Sequence, residues 1–290
     1  MSSVNAIIGL DRWTSQFTFE AGGGAWDPDR PVSNIGSMPL YRVGRTVSGN
    51  VSDTVFIARS QSLVPVGLMA FVGHDADAYD TFDVEMFSDY QMQQPINSLI
   101  GEEFWPRVYD QSAIPFEHES FWTGKLSARQ RKKKRTPIRP IWIPSPVLLR
   151  SIKVTMRRFQ PSVGPFRLRM FEICLGHQVS INPSFGMNYG FNFRTTSLQA
   201  ACGHKEFNRL PKAQTWKGTI DYLPTDEARQ RMYDALEEYD LDTPFLFFPF
   251  PSREVDWLRM CNFVRNTDPG SYRIVAGEHD EVPFSFEGVL

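Results

Sequence analysis

Residues 66–72 read Val66-Gly67-Leu68-Met69-Ala70-Phe71-Val72, apolar without a break, and run into the polar loop Gly73-His74-Asp75. A strand with one wet face alternates apolar and polar residues. A continuous run instead suits a strand covered on both faces, as in the middle of a sandwich. Working outward from it, Leu40 to Val43, Thr54 to Ala58, Phe82 to Phe87, Ile141 to Ile143, Leu149 to Met156 and Arg167 to Leu175 read as further short strands. In one of them Ile152, Val154 and Met156 alternate with Lys153, Thr155 and Arg157, which turns one face to the core and one to solvent or a partner. Phe17 to Glu20 alternate too, and Gly22-Gly23-Gly24 follows as a turn, because no helix pattern comes after it to make a phosphate cradle.

Composition agrees with a mainly β chain. Across 290 residues there are 21 Pro, 20 Gly and 23 Phe, a mixture that suits many short strands and turns and argues against a helical bundle. The length accommodates two domains. A formal net charge of −2 gives the whole molecule no reason to coat nucleic acid or an anionic membrane, so any basic function is local. Nowhere do 18 apolar residues succeed one another, and the expectation is a soluble protein made in a cytoplasm, without membrane insertion. Cys174, Cys202 and Cys261 are widely spaced and odd in number, which favours isolated buried thiols over a disulfide or zinc framework.

Two stretches break the strand pattern. From Tyr90 to Pro140 come Pro95, Pro106, Pro115 and Pro137, Glu102-Glu103, and the basic run Arg129 to Arg135, in which Arg129, Arg131, Lys132, Lys133, Lys134 and Arg135 are charged. The stretch is too long for an ordinary strand connection, so it is expected to be a functional loop or an arm ordered by a partner. The basic run is open to three readings: a solvated loop, contact with an acidic neighbouring subunit, or phosphate contact with nucleic acid. The second break lies near residues 176–184, loop text that places a domain boundary at about 178. Domain 1–178 therefore carries the insertion at about 90–140, and domain 179–290 follows.

The second domain opens with the strand-like Trp216 to Leu223. A helix is expected over about 226–239: Thr225 as N-cap, Asp226 and Glu227 at the positive end of the dipole, and Ala228, Met232, Ala235, Leu236 and Tyr239 along one face. Phe245 to Phe248, Tyr272 to Val275 and Pro283 to Phe286 then supply short strands.

Little here points to catalysis. No GxSxG, HExxH, GxxxxGK[ST] or CxxC occurs, so no catalytic residue, cofactor or metal site is assigned and no enzyme is expected. The acidic group Asp75, Asp77, Asp80 and Asp83 lacks the spacing of a calcium loop and reads best as a solvated turn, while Glu102, Glu103, Glu117 and Glu119 read as loop charges. Trp105, Tyr109 and Trp122, on loops, are candidates for stacking on sugar rings.

Several segments carry a resemblance. Pro31-Val32-Ser33-Asn34-Ile35, Tyr41-Arg42-Val43-Gly44-Arg45, Val72-Gly73-His74 and Phe171-Glu172-Ile173-Cys174-Leu175-Gly176 look like the discoidin or galactose-binding-like jelly roll of long-tailed bacteriophage tail proteins. Trp216 to Leu223, the helix and Pro244-Phe245-Leu246-Phe247-Phe248-Pro249 are similar to the tail-tube-like β domain of distal tail proteins. This resemblance implies a jelly-roll β-sandwich followed by a ring-forming β domain with one α-helix, in a structural virion protein of the tail tip. It implies a hexameric ring joining the tail tube protein to baseplate hub and tail fibre proteins, with DNA passing through its channel. The alternative it leaves open is a receptor- or glycan-binding tail module, and further off a glycan-degrading tail enzyme.

Overall fold

The computed structural model describes residues 5–110, 112, 114–134, 136–184, 186–199, 203–268, 273–276 and 278–289. Two strands of 20 residues each organise its first half: β4, Val55–His74, and β7, Ile138–Arg157. They pair antiparallel from Val55↔Thr155 to Val72↔Ile138, with register shifts between Arg59 and Val64 and between Val66 and Leu68. Such bulges bend a long strand, which lets each half of β4 take a different second neighbour. Its first half pairs with β2, Phe17–Glu20, and its second half with β8, Arg167–Cys174. The short β3, Gly44–Arg45, extends the sheet beyond β8; β5, Thr81–Phe87, and β6, Pro95–Glu103, extend it beyond β7. Gly67 sits at the second bulge, where a Cβ would come within 2.4 Å of the Leu175 carbonyl oxygen, so only glycine lets the backbones approach.

The continuous apolar run resolves into two alternating faces. Met69 and Phe71 enter one core, where the Phe71 ring meets Phe82, Phe104 and Phe171 at centroid distances of 4.7 to 5.0 Å. Leu68, Ala70 and Val72 enter a second core, shared with Ile7, Leu246, Phe248 and Phe263 of the other sheet. That sheet is built in the order β10-β13-β17-β15-β14-β1-β9. In the same order, its strands are Asn188–Asn192, Ala213–Pro224, His279–Gly288, Asn262–Asn266, Phe245–Phe248, Ile7–Ile8 and His177–Gln178. Here too the apolar run splits: Leu246 and Phe248 face the shared core, and Phe245 and Phe247 face a third one with Trp216, Val264 and Val282. The protein is therefore a mainly β, sandwich-type stack in which both central strands are buried on both faces.

The helix lies over the third core, but not as its sequence suggests. Thr225–Glu227 and Asp234–Glu238 are α-helical, and Ala228–Tyr233 between them is a π-helical turn. Ala228, Met232 and Tyr239 are buried as expected. Thr225 is no N-cap; Pro224 holds that position, and the Thr225 hydroxyl is buried without a hydrogen-bond partner among the described residues. A second helix, Glu254–Met260, lay hidden in a short loop-like text.

Three further expectations change. Leu40 to Val43 is a turn, and the strand starts only at Gly44. The division at 178 cuts through the second sheet, because β1 at the amino end and β9 at 177–178 both belong to it. Arg12 fastens this crossing: its guanidinium makes a bidentate pair with buried Glu172, Nε to Oε1 at 2.5 Å, and lies over the Phe263 ring. Finally, much of the 90–140 insertion is no free arm. β6 pairs along β5, and Phe104, Trp105, Val108 and Leu126 are buried in the first core. Cys174 and Cys261 are buried free thiols whose pKa values burial raises; Cys202 lies outside the described residues.

A core shared by the two sheets ties their stabilities together. Leu246→Ala is expected to cost ~2–5 kcal/mol while unfolding by urea stays a single transition; two separate transitions would contradict a common core.

Candidate functional site

The basic run folds as a helix. α1, Ala128–Lys133, is opened by Ser127 in a capping box: the Ser127 hydroxyl accepts from the Gln130 N–H, and the Gln130 side chain accepts from the Ser127 N–H. The Ser-x-x-Gln spacing was legible and outranked by the charge density beside it. The helix divides the candidate residues. Arg129, Lys132 and Lys133 are exposed, whereas Arg131 is held by the Leu126 carbonyl and Asp77, each at 2.7 Å. Lys134 follows the helix, and burial together with Arg259 pushes its ammonium down to about 8. Arg135 lies outside the described residues.

Arg131, Lys132 and Lys134 form one wall of a groove of about 820 Å³. Arg30 and Arg45 come from the loop before β3 and from β3 itself, and Arg167 and Arg169 stand two apart on β8, hence on one face. In all, eight Lys and Arg side chains line it against two carboxylates, Asp75 and Asp77. Sequence inspection missed this gathering because most members are single residues scattered over 140 positions; the Arg167-x-Arg169 period was the available signal. Arg158 forms the floor, buried, donating to Asp80 at 2.7 Å and to Asp75 at 2.9 Å, over the Phe166 ring at 3.8 Å. The acidic group is thus a solvated turn only in part: Asp75 and Asp77 are exposed, whereas Asp80 and Asp83 are buried and paired with Arg158 and Arg157. Burial raises the Asp75 carboxyl, and Arg158 opposes that rise.

At the back of the groove stands His74, 4% exposed, with neither ring nitrogen bonded among the described residues. Burial, then Arg139 and Arg158, pushes its imidazole down to about 3.

The aromatic candidates separate as well. Trp105 is 2% exposed and its indole N–H donates to the Ala76 carbonyl at 2.7 Å, so it is a core residue and no sugar platform. Tyr109 is partly buried, its hydroxyl accepting from Gln130 and its ring covered by the Arg259 guanidinium. Trp122 alone of the three is open, 71% exposed, edge to face with Phe116 and Phe121 at 5.5 and 5.3 Å. Glu102 and Glu103 are engaged by Arg139 and Lys125, while Glu117 and Glu119 stay exposed on the loop.

A second surface stands out on the other sheet. The two-stranded hairpin of β11, Thr196–Gln199, and β12, Lys205–Asn208, pairs with no other strand among the described residues, and all eight residues are exposed. Among the described residues β10 is an open edge of the second sheet, carrying exposed Tyr189 and Phe191. Phe193, Leu198 and Phe207 are exposed as well, Leu198 at 75%, with Leu198 and Phe207 on opposite faces of the hairpin.

No family model matches the chain, and no curated protein matches it. Among solved structures it is similar to the family 32 CBM from C. perfringens NanJ in complex with galactose, at 11% identity over 59% of this chain and 99% of that one, TM-score 0.36. It is also similar to CBM32-1 from a family 31 glycoside hydrolase of Clostridium perfringens, at 11% identity over 56% and 95%, TM-score 0.36. A third is chitosan-binding module 1 of a chitosanase/glucanase from Paenibacillus sp. IK-5, at 14% identity over 55% and 94%, TM-score 0.33. At such identities and TM-scores, what this chain binds has to be read from its own residues.

The buried imidazole has a consequence for acid stability. Below pH 6.5 the unfolded chain protonates His74, while the folded chain resists until about 3; stability is therefore lost as pH falls through that window. His74→Gln does not titrate, so the stability difference between variant and parent should move in the variant's favour by up to ~1.4 kcal/mol per pH unit from pH 6 to 4. Urea unfolding that shows a constant difference contradicts it.

Proposed function

We propose that this chain is a non-catalytic structural subunit of a phage tail tip, a distal-tail-like protein that closes a ring through its second sheet. The observation that carries this reading is the pair of exposed elements that follow one another in the chain, the edge strand β10 and the β11–β12 hairpin with apolar side chains on both of its faces. A lone two-stranded hairpin is marginal in water, and one with exposed Leu198 and Phe207 gains a stable place only against another surface. The open edge of β10 adds unpaired backbone groups, which monomeric proteins ordinarily blunt or cover. The favoured occupant is a second copy: an edge at one end of a sheet meeting a different patch on the next subunit is a heterologous contact, which makes a ring where its rotation closes and a filament where it does not. On this reading six copies surround a channel for DNA, between the tail tube protein and the hub and fibre proteins of the baseplate. The outward Arg129 and Lys133 of α1 would meet an acidic neighbour.

Light scattering of the purified protein tests this. The parent should form a ring of about six copies, and Leu198→Asp with Phe207→Asp should release monomers that keep the circular dichroism spectrum of the parent. A parent that is monomeric at every concentration, or a double variant that still assembles, would overturn it.

A second reading, recognition of glycans by the jelly-roll half, is favoured by the open cluster of Phe116, Phe121 and Trp122. Aromatic faces of this kind stack on the apolar faces of sugars. Binding on a glycan array that disappears with Trp122→Ala would support it, and an array without signal would remove it.

A further inference from the structure

The groove beneath α1 has a charge pattern that self-assembly does not call for. β3 pairs with β8 in a register that sets Arg45 directly opposite Arg167. Like charges facing each other across a ladder are destabilising, and Asp27 relieves this one only at 3.7 Å from Arg45. Arg30, Lys132, Lys134 and Arg169 converge on the same space. The two carboxylates on the wall are already engaged, Asp77 by Arg131 and Asp75 by Arg158. The groove therefore holds a surplus of positive charge around a volume of about 820 Å³.

A second observation is independent of this surplus. His74, at the back, is buried with both ring nitrogens unbonded among the described residues, although buried polar atoms are ordinarily satisfied. A neutral imidazole offers one N–H donor and one acceptor, and here it borders the basic groove. An orphan of this kind behind a ring of cations marks a place whose partner comes from outside the chain.

We propose that this groove is a binding site for a small ligand carrying phosphoryl or sulfuryl groups. Guanidinium forks match tetrahedral oxyanions with two parallel hydrogen bonds, and three of the lining arginines, Arg30, Arg45 and Arg167, come from β3, the loop before it and β8, with Lys132 supplied by α1. The volume is that of a small-molecule pocket rather than of a nucleic-acid track. Val43, Val163 and Pro165 supply apolar wall for the body of the ligand. Phosphorylated and sulfated compounds share this chemistry.

Titration calorimetry on the full chain, with inorganic tripolyphosphate and with a sulfated heparin disaccharide as probes, separates the two sources. At least one probe should bind, and the more tightly bound one identifies the source. Lys132→Gln with Arg167→Gln, both exposed residues, should weaken that probe at least tenfold while leaving the melting temperature within a degree or two of the parent. His74→Phe should weaken it as well, and the probe should raise the melting temperature of the parent but not of the double variant. Three results overturn the proposal: neither probe binds at millimolar concentration; the double variant binds as the parent does; or a single-stranded oligonucleotide binds a hundredfold tighter than tripolyphosphate through the same residues, which would make the groove a nucleic-acid surface.

Discussion

The structure rests on one shared core. Leu68, Ala70 and Val72 of β4 and Leu246 and Phe248 of β14 meet between the two sheets, together with Ile7 and Phe263. Alternate side chains of the same two strands supply the cores on either side. Each strand is thus pinned from both faces, and a slip of one residue would exchange the contents of two cores at once. The amino end is drawn into the same arrangement: β1 pairs with β14 and β9, and Arg12 reaches Glu172 and Phe263. The two halves are separate sheets, yet they are not independent bodies.

From this rigid centre the two candidate surfaces project in different ways. The groove is built on strand ends: β3, the end of β4 and the start of β8 fix Arg45, His74 and Arg167, and α1 supplies the fourth side through a capping box. Arg158, buried and held through both terminal nitrogens by Asp75, Asp80 and the Pro165 carbonyl, forms the floor. A site on such supports keeps its shape without its ligand. The β11–β12 hairpin is the opposite case, with its side chains exposed and its backbone paired, among the described residues, within the hairpin. It is suited to being ordered by what it meets.

What could be read from the sequence follows from the range of the interactions involved. The apolar runs at 66–72 and 245–248 announce burial on both faces, because periodicity is a local signal; that the same layer would cover both was not visible, since the contact joins residues some 180 positions apart. Alternation in Ile152, Val154 and Met156 placed these side chains inward correctly. The helix at 225–238 was found from its apolar face, but its cap was misplaced by a residue because Thr225 is a better capping side chain than Pro224. Charge density at 129–135 overshadowed the capping box that makes α1 a helix. The groove arginines went unseen for a plainer reason: no sequence spacing relates Arg30, Arg158 and Arg167, which only the sheet brings together. Trp105 was judged by residue type, and the core claimed it.

On the proposed reading, a rigid, doubly covered centre carries an exposed hairpin that meets another copy. Amide hydrogen exchange on dilute and on assembled protein tests it most directly. The account predicts that amides of Leu68 to Val72 exchange slowly in both, while those of 196–199 and 205–208 exchange quickly in the dilute protein and become protected on assembly. Equal protection of the hairpin in both states, or rapid exchange in the centre of β4, would contradict it.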